Sequence, residues 1–436
     1  MLQKGDKKLI NAWAFYDWAN SVYSLVISTA VFPIYYSSLT ESFANIEGKI
    51  TFLGTQWNPT TLYDYTLAFS FLIVAFMSPI LSGIADYTGN KLKFLKVFCL
   101  IGSLSVMSLF FFKGESTLWV GLLFTVLASI GFWGSIVFYN AYLPEVAHPE
   151  QQDNVSAKGF MYGYTGSILL LILCLVLVQK PELFGIDSAG FATRLSFILV
   201  GLWWLGFAQI TYARLPNNVY NRKPTKDYIW KGLRELKVVA KELKEHPELK
   251  MFLSSFFMFS VGVQTIILMA GIFGSKELGL PTIDLIAVIL VVQLVAIVGA
   301  FLFSRLSNKI GNISALKITI AIWALVCFVA FMLDKSQENV QYYFYSLGGL
   351  IGLVMGAIQS LSRSTYSKLL PETKDHATYF SFYDVTEKLA IVFGMIVFGL
   401  LISLTGSMQW SVLFLAVFFL ISFVLLTFVG KTKYVQ

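Results

Sequence analysis

Charge, histidine and cysteine are all scarce in this chain, and each shortage closes off a class of function. Only 13% of the residues are Asp, Glu, Lys or Arg, against about 25% in an ordinary soluble domain. Hydrophobic residues make up 56%, and mean hydropathy is +0.70. A chain of 436 residues with that balance could not cover its apolar surface in water, so a water-soluble fold is excluded. The three cysteines, Cys99, Cys174 and Cys327, stand far apart in apolar stretches without metal-ligand spacing, which predicts neither disulfide staples nor a zinc site. The three histidines, His148, His246 and His376, fall in loops with no nucleophile arrangement or metal spacing around them. No glycine-rich loop ends in Lys followed by Ser or Thr, the pattern that cradles phosphates. These absences predict no catalytic residues, no metal, no cofactor and no direct nucleotide drive. The chain is expected not to be an enzyme, and any work it does must draw on a gradient.

What it has instead is apolar length. Runs of about 20 residues with few charges match the hydrocarbon core of a bilayer. They are expected at 12–37, 62–84, 94–112, 117–140, 157–179, 192–212, 251–273, 283–304, 314–333, 342–362, 380–404 and 407–430. Lipid offers backbone groups no partners, so each must be helical. The first run follows Lys4, Lys7 and Lys8 and is too long, with Asp17 and Asn20 inside it, for a cleavable leader; it is expected to stay as a membrane helix. With both ends on one side, 26 of the 32 Lys and Arg residues share that side, and the opposite loops keep only Lys49, Lys113, Lys180, Arg194, Lys276 and Lys335. That excess predicts cytoplasmic termini. The net charge of +7 is then a topology signal and predicts no nucleic-acid partner. Membrane lipid and a small-molecule cargo are the expected partners of a monomer.

Residues 213–250 hold ten Lys or Arg and five Asp or Glu, and they divide the chain into 1–212, a linker, and 251–436. Within the linker, Lys226 to Lys244 reads as a basic amphipathic helix, with Ile229, Leu233, Leu236, Val239, Ala240 and Leu243 at helical spacing. It suits the membrane surface, or equally a solvated connection. The halves repeat each other. Ser82-Gly83-Ile84-Ala85-Asp86-Tyr87-Thr88-Gly89-Asn90 follows the second run, and Ser304-Arg305-Leu306-Ser307-Asn308-Lys309-Ile310-Gly311-Asn312 follows the eighth. Leu143-Pro144-Glu145 follows the fourth, and Leu370-Pro371-Glu372 the tenth. Two matches in register indicate a duplicated six-helix unit.

Charges and amides inside the apolar runs carry the functional argument, because an ionised Asp at a helix centre costs roughly 2.5–3.5 kcal/mol on insertion scales and must find a partner or a cavity. Asp17, Asn20, Ser21 and Ser24 share one stripe of the first run, next to Tyr23. Tyr139 and Asn140 join them from the fourth, Tyr162 and Tyr164 from the fifth, Gln264 from the seventh and Gln293 from the eighth. The tenth adds Gln359 and Arg363, the latter equally suited to snorkelling to the surface. The eleventh adds Asp384, Glu387 and Lys388, with Asp384 and Lys388 an i,i+4 pair in the favourable order.

Gly83, Asp86, Gly89 and Lys91 resemble the loop signature of the major facilitator superfamily, which implies a latch between halves on the cytoplasmic side. Asn308 stands where the second half would carry the acid, so the latch is expected to be one-sided. Tyr16-Asp17-Trp18-Ala19-Asn20-Ser21, Phe138-Tyr139-Asn140-Ala141-Tyr142-Leu143-Pro144-Glu145, Gly159-Phe160-Met161-Tyr162-Gly163-Tyr164, Gln359-Ser360-Leu361-Ser362-Arg363-Ser364 and Phe382-Tyr383-Asp384-Val385 together resemble the vacuole effluxer family. This family comprises autophagy-linked amino-acid exporters of fungal vacuoles and bacterial relatives. The resemblance implies an all-α major facilitator fold, twelve transmembrane helices in two pseudo-symmetric six-helix bundles. It also implies efflux of an amino acid or similar small polar metabolite, here across a bacterial plasma membrane. The family usually has Gly where this chain has Glu387.

These residues predict a secondary transporter that opens alternately to each side. Asp17, Asn20, Tyr23, Asn140 and Gln264 are expected to touch cargo, while Gln293, Gln359, Arg363 and Lys388 complete a positively biased wall suited to a carboxylate. Asp17, Asp384, Glu387 and Lys388 are the candidates for proton coupling or gating. The alternatives are a flippase for lipid or cell-wall fragments, and a non-transporting receptor or scaffold.

Overall fold

A computed structural model of the chain describes residues 3–217 and 228–429. Twelve described helices are long and apolar enough to cross a bilayer: Lys7–Glu41, Pro59–Thr88, Lys91–Phe111, Glu115–Val146, Pro149–Gln179, Ala189–Tyr212, Pro247–Glu277, Thr282–Ile310, Asn312–Phe331, Val340–Leu369, His376–Thr405 and Met408–Thr427. Several outrun the apolar stretches that announce them. The tenth continues seven residues past the expected end at 362, and the fifth begins eight residues before 157. Hydropathy registers only the lipid slab, whereas i→i−4 hydrogen bonding continues wherever the chain still has helical partners.

Local chemistry fixes the ends. Asp6 accepts from the Lys8 N–H at 3.3 Å before the first helix, and Asn58 accepts from the Thr60 N–H at 3.0 Å, with Pro59 in the first position of the second. Gly89, at φ 71°, ends that helix in the left-handed region that side chains avoid. A short hairpin, Ile50–Phe52 against Thr55–Trp57, fills the connection between the first two helices.

Helices one and seven occupy equivalent places in the two halves, and both contain π-helical turns, Tyr23–Val31 and Phe273–Glu277. In the first half, helix one packs on helices five and six. Between halves, helix two meets eleven, and helix five meets eight and ten. With an even number of helices alternating in direction, the described ends, Gln3 and Val429, lie at the same end of the bundle. The linker forms a helix, Tyr228–Glu245, which packs on helix two and also touches helices seven and eleven. Val239 is buried there. Lys226 lies outside the described residues, as do the side chains of Ile229, Leu233 and Leu243.

Candidate functional site

Arg363 does not snorkel. It is 3% exposed and reaches from helix ten into the first half. Its Nε donates to Ser156 Oγ at 2.9 Å and its Nη2 to the Ser156 carbonyl at 2.8 Å. Nη1 donates to Asn140 Oδ1 at 3.2 Å and to Asp17 Oδ2 at 3.3 Å. The Tyr139 hydroxyl donates to that same Asp17 oxygen at 2.7 Å. Rings from Trp13, Tyr139 and Phe160 surround the guanidinium, with centroids 4.9, 5.3 and 4.2 Å away. A planar ion with five donors suits such a box, since it can pair, hydrogen-bond and stack at once.

Helix five makes room for it with missing side chains. A Cβ at Gly159 would lie 2.5 Å from Asp17 Oδ2 and 2.8 Å from the Tyr139 hydroxyl, and one at Gly163 would lie 2.5 Å from Ser21 Oγ. Asp17 and Ser21 therefore face helix five across a contact too close for a methyl group. Asn20, 1% exposed, receives a long hydrogen bond of 3.4 Å from Ser21, and its amide nitrogen has no partner among the described residues. A buried polar group left unpaired costs about 1–3 kcal/mol.

A second charged group lies in the second half. Lys388 Nζ is 2.8 Å from Asp384 Oδ1 and 3.5 Å from Glu387 Oε2, and it sits 3.5 Å from the centroid of the Trp133 ring, contributed by helix four. Gln264 of helix seven donates to Glu387 Oε1 at 2.8 Å. Asp384 and Lys388 are buried, while the Glu387 side chain keeps 18% exposure.

The remaining expected residues divide. Gln359 accepts from the Tyr164 hydroxyl at 2.7 Å and so joins the halves. Gln293 is half-buried without a hydrogen bond among the described residues. Tyr23 is buried in the first bundle against Phe132 and Trp204, at ring separations of 4.9 and 5.9 Å. The turn to π geometry at residue 23 accompanies that inward placement, so the ring does not reach the space between halves. The positively biased wall is also corrected. Arg363 and Lys388 are each engaged by carboxylates, and Asp17, Asp384 and Glu387 outnumber the two cations.

At the terminus-bearing surface the halves are fastened twice. Asp86 caps helix eleven in trans, accepting from the N–H groups of Ala377 at 3.2 Å and Thr378 at 2.7 Å and from the Thr378 hydroxyl at 2.9 Å. Lys91 bridges Asp86 and Glu145, and His376 Nδ1 is 3.0 Å from Glu145. Contrary to the one-sided expectation, a second arm exists, with its acid on the partner half. Asp153 of helix five accepts from Ser307 at 2.9 Å, Asn312 at 2.7 Å and Lys368 at 2.8 Å. Gly89 ends the first arm's helix, and Gly83 is buried within its last turns. The linker helix adds Glu242, which accepts from the Tyr379 hydroxyl at 2.8 Å. Burial, with Glu242 close by, raises Asp375 above the ordinary carboxylate range.

Sequence reasoning missed Ser156, Trp13, Phe160, Asp153, Asn312 and Lys368. Asp153 and Lys368 fell beyond the apolar runs, and a buried arginine among aromatics leaves no local pattern. The signal that was available is the acid one residue after Gln152 and the lysine five after Arg363, both in continuing helical register.

Comparisons with known proteins agree with this fold. The profile of the family described as "Vacuole effluxer Atg22 like" matches residues 5–435. An "Uncharacterized MFS-type transporter YxiO" from Bacillus subtilis is 33% identical over 434 residues, covering 99% of this chain and 96% of the relative. "Autophagy-related protein 22-1" from Aspergillus niger is 25% identical over 471 residues, covering 88% of this chain and 75% of its own. Among solved structures, the major facilitator FucP in its outward conformation superposes with a TM-score of 0.69 at 12% identity, covering 98% of both chains. The human organic anion transporter MFSD10 gives 0.70 at 12% identity, covering 97% of this chain and all of that one. The last two show the fold; the family match and the bacterial relative carry the assignment, and the chain belongs to the vacuole effluxer Atg22-like family of MFS-type transporters.

Proposed function

We propose that this protein exports or exchanges a small polar metabolite, an amino acid or related zwitterion, by alternating access with proton coupling. It would sit in a bacterial plasma membrane with both termini in the cytoplasm. The observation that carries this reading is the buried Asp17–Arg363 pair, made between halves that must separate for the terminus-bearing end to open. Every described hydrogen bond between the bundles lies between that surface and the Tyr164–Gln359 contact; none joins them nearer the opposite end. The arrangement supports a state closed towards the cytoplasm. Breaking it removes Asp17's cation, which favours its proton uptake, and so links opening to the proton gradient. Asn20, Asn140, Gln264, Gln293 and Gln359 supply amides along the route. An apolar groove of about 580 Å³ along helix two, lined by residues such as Phe69, Phe76 and Leu81, carries no polar side chain and reads as lipid-facing.

The test is flux in proteoliposomes loaded with pooled labelled amino acids under an imposed pH gradient. Gradient-driven flux is expected, with Asp17→Asn retaining exchange but losing the gradient's drive. Absence of flux for every class of cargo overturns the transporter mechanism, and full drive in Asp17→Asn removes that residue as the coupling group.

A further inference from the structure

Between the bundles, near mid-depth, negative charge outweighs positive charge. Asp17 and Arg363 cancel. Asp384 and Glu387 share the single ammonium of Lys388, which leaves one carboxylate without a cation of its own. Buried charge of that kind calls for a counter-charge. Two independent details say where a ligand fits. Asp384 Oδ2 is buried and unpartnered, beside a lysine already held by its other oxygen. Glu387 is the charged group of this cluster that retains exposure, and its Oε2 meets Lys388 only at 3.5 Å. On helix eleven, Glu387 lies about 200° around from the lipid-facing Leu389 at about 100° per residue, so its open side faces the interior rather than the bilayer.

We infer that Glu387, oriented by Gln264, is the residue that recognises the ammonium group of cargo, and that Lys388 on the Trp133 ring shows the chemistry the pocket accepts. A primary ammonium there makes a charge-assisted hydrogen bond to Glu387 Oε2, supplies the missing positive charge and needs no carboxylate partner. The cationic side chains of the two clusters, Arg363 and Lys388, are both engaged by carboxylates, so a cargo carboxylate finds no free cation there. The inference rests on the transport reading and names the specificity of that same route: the amine is required and the carboxylate is dispensable.

The experiment uses the purified full chain in lipid nanodiscs and three probe pools spanning small, branched, aromatic and charged side chains: free amino acids, amino-acid amides, and N-acetyl amino acids. Thermal shift reads binding, and competition against the best free amino acid gives relative affinity. Amides are expected to bind as free amino acids do, and N-acetyl forms to fail. Glu387→Gln keeps the hydrogen bond to Gln264 in shape and is expected to weaken amides and free amino acids on the order of tenfold to a hundredfold. Its unliganded melting temperature reports whether it folds, and Gln264→Leu, which removes the amide that orients Glu387, is expected to weaken amides and free amino acids less than Glu387→Gln does. Retained binding of N-acetyl forms with unchanged affinity in Glu387→Gln overturns the inference while leaving transport intact. Binding by none of the pools, together with no flux in proteoliposomes, overturns both.

Discussion

Two charged clusters lie at similar depth in this protein, and they are built in opposite ways. Arg363 meets Asp17, Asn140 and Ser156 across the interface between halves. Lys388 meets Asp384 and Glu387 on its own helix, with only the Trp133 ring coming from the other half. The first arrangement exists only while the terminus-bearing end is shut; the second survives rocking of the bundles almost whole. Equal burial thus conceals different work. A pair between moving bodies weights a conformational equilibrium, whereas a pair within one body sets a constant electrostatic environment for whatever binds.

A direct readout of the difference is crosslinking of Asn154→Cys with Asn308→Cys, whose native side chains touch at 3.4 Å across the closed end. Cys99, Cys174 and Cys327 are all buried and give little background. The largest effect is expected from Arg363→Ala, which strands Asp17 without its cation and penalises the closed arrangement by about 3–5 kcal/mol. Crosslinking should collapse; if it persists, the inter-half pair does not hold the end shut. Gly159→Val comes next, at about 1–3 kcal/mol from overpacking against Asp17 and Tyr139, while the same change at Gly206, where a Cβ meets nothing within 4 Å, should do nothing. Asp17→Asn combined with Arg363→Gln is expected to crosslink better than Arg363→Gln alone, with a coupling energy of roughly 0.5–3 kcal/mol in the double-mutant cycle; strict additivity would deny the pairing. Tyr379→Phe removes the hydroxyl held by Glu242 and should loosen the closed end by about 1 kcal/mol, measurable as faster crosslink loss on mild heating. Glu387→Gln should leave crosslinking unchanged. A marked drop there would erase the contrast between the clusters.

Much of this fold could be read from residue order because lipid makes one demand, satisfied backbone within an apolar run, and that demand leaves a long periodic trace. The twelve helices follow from it, whereas the latch residues Asp86 and Lys91 were legible only through their resemblance to a facilitator loop signature. Which partner a buried charge chooses does not follow from that demand. Arg363 could have bent toward water; three aromatic rings and a glycine on helix five decided otherwise, and those come from three separate stretches of chain. The second latch arm was hidden for a related reason. Its acid, Asp153, moved to the opposite half, so comparing loop with loop showed only an Asn where the acid was expected. Tyr23 was placed with its polar neighbours by sequence proximity alone, and packing against Phe132 and Trp204 turns its ring into the first bundle instead.

The looser winding of the first helix has a consequence for the chain's tolerance of insertion and deletion. Nine residues, Tyr23–Val31, span a stretch in which hydrogen bonds skip one residue further than in an α-helix. Removing a single residue there would let the segment relax to α-helical hydrogen bonding with the helix on either side kept close to its present alignment, because the wider turn already absorbs more residues than an α-helix holds. Deleting a residue from the α-helical turn between Asp17 and Tyr23 would instead rotate everything beyond it by about 100° relative to Asp17, with length and hydropathy hardly changed.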